Sequence, residues 1–148
     1  MKNILVATDG SEPSQQALEV AIELAKETGA ALHVLSVRPP RAAGRGGAGA
    51  PILEVEEIDG PQHIADAAAT HAREAGLEVT PHAAHGDVVD CIASAASTLG
   101  ADLLVVGSRG MGSLSGAMLG SVSHALVRKS PVPVTIVRHA AVHAAAAS

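Results

Sequence analysis

Apolar residues gather along this chain in two kinds of run. Short apolar runs rich in branched residues, Lys2 to Thr8 (KNILVAT), Ala31 to Val37 (ALHVLSV) and Asp102 to Val106 (DLLVV), predict buried strands, as in a parallel sheet. Leu77 to Ala83 predicts a weaker third strand. Val134 to Val137 (VTIV) predicts a fifth, and Pro131 and Pro133 at its start suit a sheet edge. Between these runs, apolar residues recur at helical spacing. Ser11 can cap a first helix whose stripe is Ala17, Leu18, Ala21, Leu24 and Ala25, with Gly29 as its left-handed stop. A second helix is expected after Gly60-Pro61, with Ile64, Ala68, Ala72 and Ala75 on one face and Gly76 behind it. A third follows Asp87, its stripe being Val88, Cys91, Ile92, Ala95, Ala96 and Leu99 before Gly100. A short last helix runs to Lys129.

Strands alternating with helices predict an α/β fold. The expected form is a single-layer, doubly wound, Rossmann-like five-stranded parallel sheet in strand order 3-2-1-4-5, with about four helices, over residues 1–138. Pro39-Pro40 opens a Gly, Ala and Arg-rich stretch read as a mobile loop at about 39–51, and residues 139–148 read as a disordered tail. Sheets of this kind bind ligands beyond the carboxyl ends of their strands, which here carry Asp9, Val37 and the loop after Val106.

Composition narrows the chemistry. The 148 residues include no Phe, Tyr or Trp, which excludes platforms that stack bases on aromatic rings; a bound purine must lie on aliphatic groups and backbone. A net charge of −5 argues against a general nucleic-acid surface. No run approaches the ~20 apolar residues of a membrane span, and Met1 to Asn3 leave no room for a signal peptide, so no membrane association and a cytoplasmic location are expected. Cys91 is the single cysteine and reads as core. The charge is uneven. After Asp102 there are four bases and no acid, against six bases and fifteen acids in the first 102 residues, which points to an anion docking in the last third.

That third contains Gly107-Ser108-Arg109-Gly110, nine further residues, then Gly120-Ser121-Val122-Ser123, joining a buried strand to a helix start. Glycines let the backbone approach a ligand and turn N–H groups toward it, and Ser121 and Ser123 add hydroxyls at a helix N-terminus. Phosphate is the natural guest. Neighbouring motifs fail on their spacing. No lysine lies between Lys26 and Lys129 to complete a P-loop, Gly110-Met111-Gly112 follows the fourth strand instead of the first, and Leu114 stands where a nucleophile elbow needs serine. Asp9 lacks the clustered acids of a phosphoacceptor site, and Thr8-Asp9-Gly10-Ser11 replaces the Ser-Gly-Gly loop of adenylyl-transferring relatives of the fold. His82 with His85, and His139 with His143, lack the further ligands zinc requires, so no metal site is expected. His33 reads as a satisfied core polar group and His124 as packed or solvated.

Gly, two residues, Gly, nine residues, Gly-Ser resembles the mark of the ATP-binding branch of the universal stress protein family. The resemblance extends from Met1 to about Arg138 through ILVATDGS, LHV, HGD, ADLLVVGSRG and GSVSHALVRKSPVPVTIV. It implies adenine held by Ala7, Asp9 and the backbone of Val34, with Asp9 near the ribose. It also implies a triphosphate on Gly107, Ser108, Arg109, Gly110, Gly120, Ser121, Val122 and Ser123. The ligand expected is ATP, with or without Mg²⁺, or another adenine nucleotide. The resemblance further implies a homodimer through the edge strand at residues 132–137, and a nucleotide-dependent regulatory or sensory role toward a protein partner it does not identify. No catalytic residue is expected; the competing reading is a slow Mg²⁺-dependent ATP hydrolase or phosphotransfer enzyme using Asp9.

Overall fold

In the computed structural model, residues 1–40, 54–108 and 120–138 are described, those at 54–59 by backbone alone. Strands β1 (Asn3–Ala7), β2 (Ala31–Arg38), β3 (Val79–His85), β4 (Leu103–Gly107) and β5 (Val134–Val137) alternate with helices α1 (Glu12–Thr28), α2 (Glu54–Arg73), α3 (Val88–Thr98) and α4 (Ser121–Lys129). The strands form one parallel sheet in the order β3-β2-β1-β4-β5, as the sequence predicts.

Alternation along the strands divides the core into two layers. Ile4, Val6, Leu32, Val34, Val79, Leu103 and Val105 face α1 and α2, where the alanine stripes Ala17, Ala21, Ala25 and Ala65, Ala69, Ala72 let the helices approach closely. Leu5, Leu35, Leu104 and Val106 face the other way, against Ile92 and Ala96 of α3 and Leu126 of α4. With no rings to fill space, interlocking aliphatic groups carry the packing, and Ile4, Leu5, Leu32, Ile92, Leu104 and Leu126 are all fully buried.

Local signals act as read at α1. Ser11 Oγ accepts from the Ser14 N–H, and Gly29 closes the helix at φ 77°. Asp87 caps α3 by accepting from Asp90 N–H at 3.0 Å. Most boundaries agree to within a residue, and two elements start elsewhere by two residues or more. Helix α2 starts at Glu54 and carries Pro61 inside it, although Gly60-Pro61 reads as a start; the helix tolerates the missing proline N–H within a helix anchored by its buried alanines farther on. Strand β3 begins two residues later than expected because Val79 pairs with Leu32. Cys91 is half-buried near Gly86, not core, since α3 turns that side of its first turn toward the chain end of β3. The expected loop, apart from its first two residues, and the expected tail lie outside the described residues. No helix among the described residues is long and apolar enough to cross a membrane.

Candidate functional site

At the carboxyl end of the sheet a cavity of about 450 Å³ opens where β1 and β4 diverge toward helices on opposite faces. Its size lies within the usual range for small-molecule sites. One wall is Ala7, Thr8 and Asp9 from the end of β1, with Ser14 of α1 beneath them. A second is Leu35, Val37 and Pro39 from β2, and Val88 and Ile92 of α3 form the third. The remaining side runs through Val106, Gly107 and Ser108 into Gly120, Ser121, Val122 and Ser123. Aliphatic groups thus line one part, and backbone and hydroxyls the other.

Of the residues expected from the sequence, Ala7, Asp9, Gly107, Ser108, Gly120, Ser121, Val122 and Ser123 all line this one cavity. Arg109 and Gly110 lie outside the described residues. Val34 does not line the cavity. It pairs with Val6 and is fully buried in the layer under α1 and α2, so Leu35 and Val37, one step out of phase, supply the β2 wall. Thr8, Ser14, Pro39, Val88, Ile92 and Val106 were not anticipated. The pattern Val88, Ile92 at helical spacing, read as core, was the one signal that α3 could present them together.

The two ends of the glycine motif are tied through a single carbonyl. The Gly120 N–H donates to the Ser108 carbonyl at 2.6 Å, and the Ser123 hydroxyl reaches the same oxygen at 3.1 Å and the Gly120 carbonyl at 3.1 Å. Ser108 N–H in turn donates to the Val137 carbonyl at 2.8 Å. Ser123, 2% exposed, therefore spends its proton on carbonyls and positions the motif. At the start of α4, Gly120 offers no side-chain cap, and the first turn has no acid. The amides of Ser121, Val122 and Ser123 open the helix, where none has an acceptor within the helix itself, and the helix dipole adds partial positive charge. This is the donor set an anion requires.

Asp9 sits on the turn between β1 and α1. Its Oδ1 accepts the Ser11 N–H at 2.9 Å, and the turn is held at its base by Thr8, whose N–H donates to the Leu35 carbonyl at 2.9 Å. Cys91 is not among the cavity's lining residues; burial first, then the Asp87 and Asp90 carboxylates, push its thiol up and favour the protonated form. A further hollow of about 410 Å³ lies between α1 and α2, with His63 and the His71–Glu19 ion pair at its edge. That pair is solvent-exposed, and the hollow has no glycine-rich backbone or uncapped helix start, so it offers no comparable anion site.

A sequence model of the universal stress protein family matches residues 1–138. The chain is 35% identical to the universal stress protein YxiE of Bacillus subtilis, over 91% of this chain and 97% of that one. Among solved structures, a universal stress protein in complex with cAMP superposes with a TM-score of 0.70 at 28% identity, covering 93% of this chain and 96% of the other. The universal stress protein of Archaeoglobus fulgidus in complex with dAMP gives a TM-score of 0.64 at 25% identity, covering 92% and 97%.

Proposed function

The chain belongs to the universal stress protein family, and from that premise we propose that it is an adenine-nucleotide-binding regulatory protein whose ligand is ATP. The observation that carries this reading is the uncapped N-terminus of α4, opening into the same cavity as the aliphatic ends of β1 and β2. Two relatives of comparable fold were solved with adenine nucleotides, which supports the same class of ligand here.

The residues fit such a guest by their chemistry. Leu35, Val37, Val88 and Ile92 give a purine apolar walls in place of aromatic ones, and Asp9 offers a carboxylate to the ribose hydroxyls. Phosphates meet the amides of Ser121, Val122 and Ser123 and the hydroxyl of Ser121, with Gly107 and Gly120 leaving room for close approach. Arg109 and Gly110 complete the expected phosphate shell. Charge-assisted bonds of this kind contribute about 1.5–3 kcal/mol each, so a few of them with a buried base suffice for micromolar affinity, about −8 kcal/mol. Mg²⁺ bound with ATP would supply neutralising charge at the phosphates, and Asp9 is the carboxylate that lines the cavity.

Function follows from occupancy. In our reading the protein works in the cytoplasm as a dimer through β5, and nucleotide binding alters the surface offered to a partner protein. Hydrolysis is not required, because binding alone can change the surface and, apart from Asp9, no described residue lining the cavity has the chemistry of a general base. The test is mass spectrometry of the small molecule released when the purified protein is gently denatured, followed by calorimetry with ATP and AMP. Recovery of an adenine nucleotide and ATP affinity that falls on Asp9→Ala are expected. A protein that releases nothing and shows no heat with either nucleotide would overturn the reading, and Asp9→Ala that keeps binding but abolishes turnover would make it an enzyme.

A further inference from the structure

We propose that His33 and His82 form a binding site for a divalent late transition metal, zinc in the first instance, on the sheet face that packs against α3. The site rests on neither the family nor the nucleotide reading. It arises from register. Leu35 lies opposite His82 and His33 opposite Thr80, so alternation brings both imidazoles to the same face of β2 and β3 as diagonal neighbours. His85, three residues along β3, falls on the other face.

The two rings point at each other. His33 Nδ1 and His82 Nε2 are 3.0 Å apart, with ring centres 5.2 Å apart and planes inclined by 31°. In the absence of metal, one nitrogen donates its proton and the other accepts it. A zinc held tetrahedrally, about 2.05 Å from two imidazole nitrogens, places the ring centres about 5.2 Å and the nitrogens about 3.3 Å apart. The ring centres already have that separation, and a modest turn of each ring parts the nitrogens by the remaining few tenths of an ångström.

The surroundings suit a ligand pair. Burial lowers both imidazoles below their ordinary value, so both are neutral at pH 7, the form whose lone pair binds metal. The negative charge of Glu78, one residue before β3, acts on His33. Its exposed side chain is free to swing toward the pair and add an oxygen ligand, with water completing the shell. Among the described residues no three His, Cys, Asp or Glu groups converge, so the two imidazoles are the ligands already in place, and the remaining positions fall to water and to Glu78. Imidazole nitrogen with one carboxylate favours zinc, copper or nickel over magnesium or calcium.

The experiment titrates metal-free protein with zinc chloride by calorimetry, and follows the thermal midpoint with and without zinc. We expect one zinc per chain in the tightest class, a midpoint that rises with zinc concentration, and a loss of at least about tenfold in affinity for His33→Ala or His82→Ala, with a smaller loss for Glu78→Gln. Zinc affinity unchanged in the His33→Ala/His82→Ala double variant would assign the metal to other histidines and overturn the proposal. Nitrogen-15 imidazole spectra of the wild-type chain give the answer without a variant: zinc must shift His33 and His82 first, and their remaining unshifted at one equivalent would also overturn it.

Discussion

The Thr8 and Ser14 hydroxyl oxygens lie 2.9 Å apart, both residues buried, directly beneath the turn that presents Asp9. Around them the Gly10 N–H donates to Thr8 Oγ1 at 3.1 Å, the Asp9 N–H to Ser14 Oγ at 3.4 Å, and Ser14 Oγ to the Ser11 carbonyl at 2.9 Å. Two hydroxyls thus fix a loop whose backbone must otherwise choose among many conformations. Gly10, at φ 84°, makes the reversal possible.

Replacing Ser14 with Ala removes the centre of this network and leaves the Thr8 hydroxyl and the Asp9 N–H short of a partner. The expected cost is about 1–3 kcal/mol in a urea titration, because buried polar groups lose their bonds. ATP affinity should fall with it, since the turn that presents Asp9 loses one of its supports. If stability drops while ATP affinity remains at the wild-type value, the network serves the fold alone.

The elements were legible in the sequence because their signals are local. A run such as ILVA, a serine three residues before its amide partner, and a glycine behind an alanine stripe each specify a short segment. Phase within a doubly buried strand is a different matter. ALHVLSV carries apolar residues at both odd and even positions, so its pattern alone does not say that Val34 faces α1 and α2 while Leu35 faces the cavity; the pairing with β1 and the packing of the helices decide this. The hydroxyls of Thr8 and Ser14 were invisible for a similar reason, being uncharged residues whose meeting depends on how the turn folds. His33 and His82 are 49 positions apart, and no spacing rule connects them. The glycine motif was the exception, since its two ends lie at a strand end and a helix start that the local pattern already located.

Gly120 has φ −68° and ψ 162°, a conformation open to any residue, so the backbone itself does not demand glycine there. If phosphate approaches this Cα, Gly120→Val should fold with a thermal midpoint within a few degrees of wild type and lose at least tenfold in ATP affinity, about 1.4 kcal/mol. Gly107→Val at the other end of the cavity should behave alike. Full affinity by calorimetry in both variants would mean that no ligand comes close to these positions.

Asp102 ties the beginnings of two strands together. Its Oδ2 accepts the Asn3 N–H at 2.9 Å and the Lys2 N–H at 2.7 Å, and these bonds hold its carboxyl below the usual range, helped by the charges of the N-terminus and Lys2. A depressed carboxylate contributes stability above its unfolded value, about 3.9, and that contribution is lost as pH falls through the lower folded value. Asp102→Asn should therefore be less stable than wild type at pH 6, and the difference should shrink below about pH 4. A difference that is constant from pH 6 to pH 3 would assign the effect to geometry instead of charge.

The outer edge of β5, the last strand of the sheet, yields the last prediction. The Leu104 N–H donates to the Pro133 carbonyl and the Ser108 N–H to the Val137 carbonyl, so the odd-numbered residues of β5 face β4. The N–H and C=O groups of Val134 and Ile136 consequently point to the outer side of the strand. The side chain of Ile136 meanwhile packs against the layer under α3 and α4, which makes a charged substitution there a poor test, since it would damage the core as well as any interface. Such an edge invites pairing with a second copy, and a two-fold partner closes it. Hydrogen exchange reads this directly. In a dimer joined along β5 the Ile136 amide should exchange slowly at high protein concentration and faster on dilution, in step with a fall from twice the chain mass by light scattering. Fast exchange at Ile136 in a protein that still has the dimer mass would move the interface to another face of the molecule.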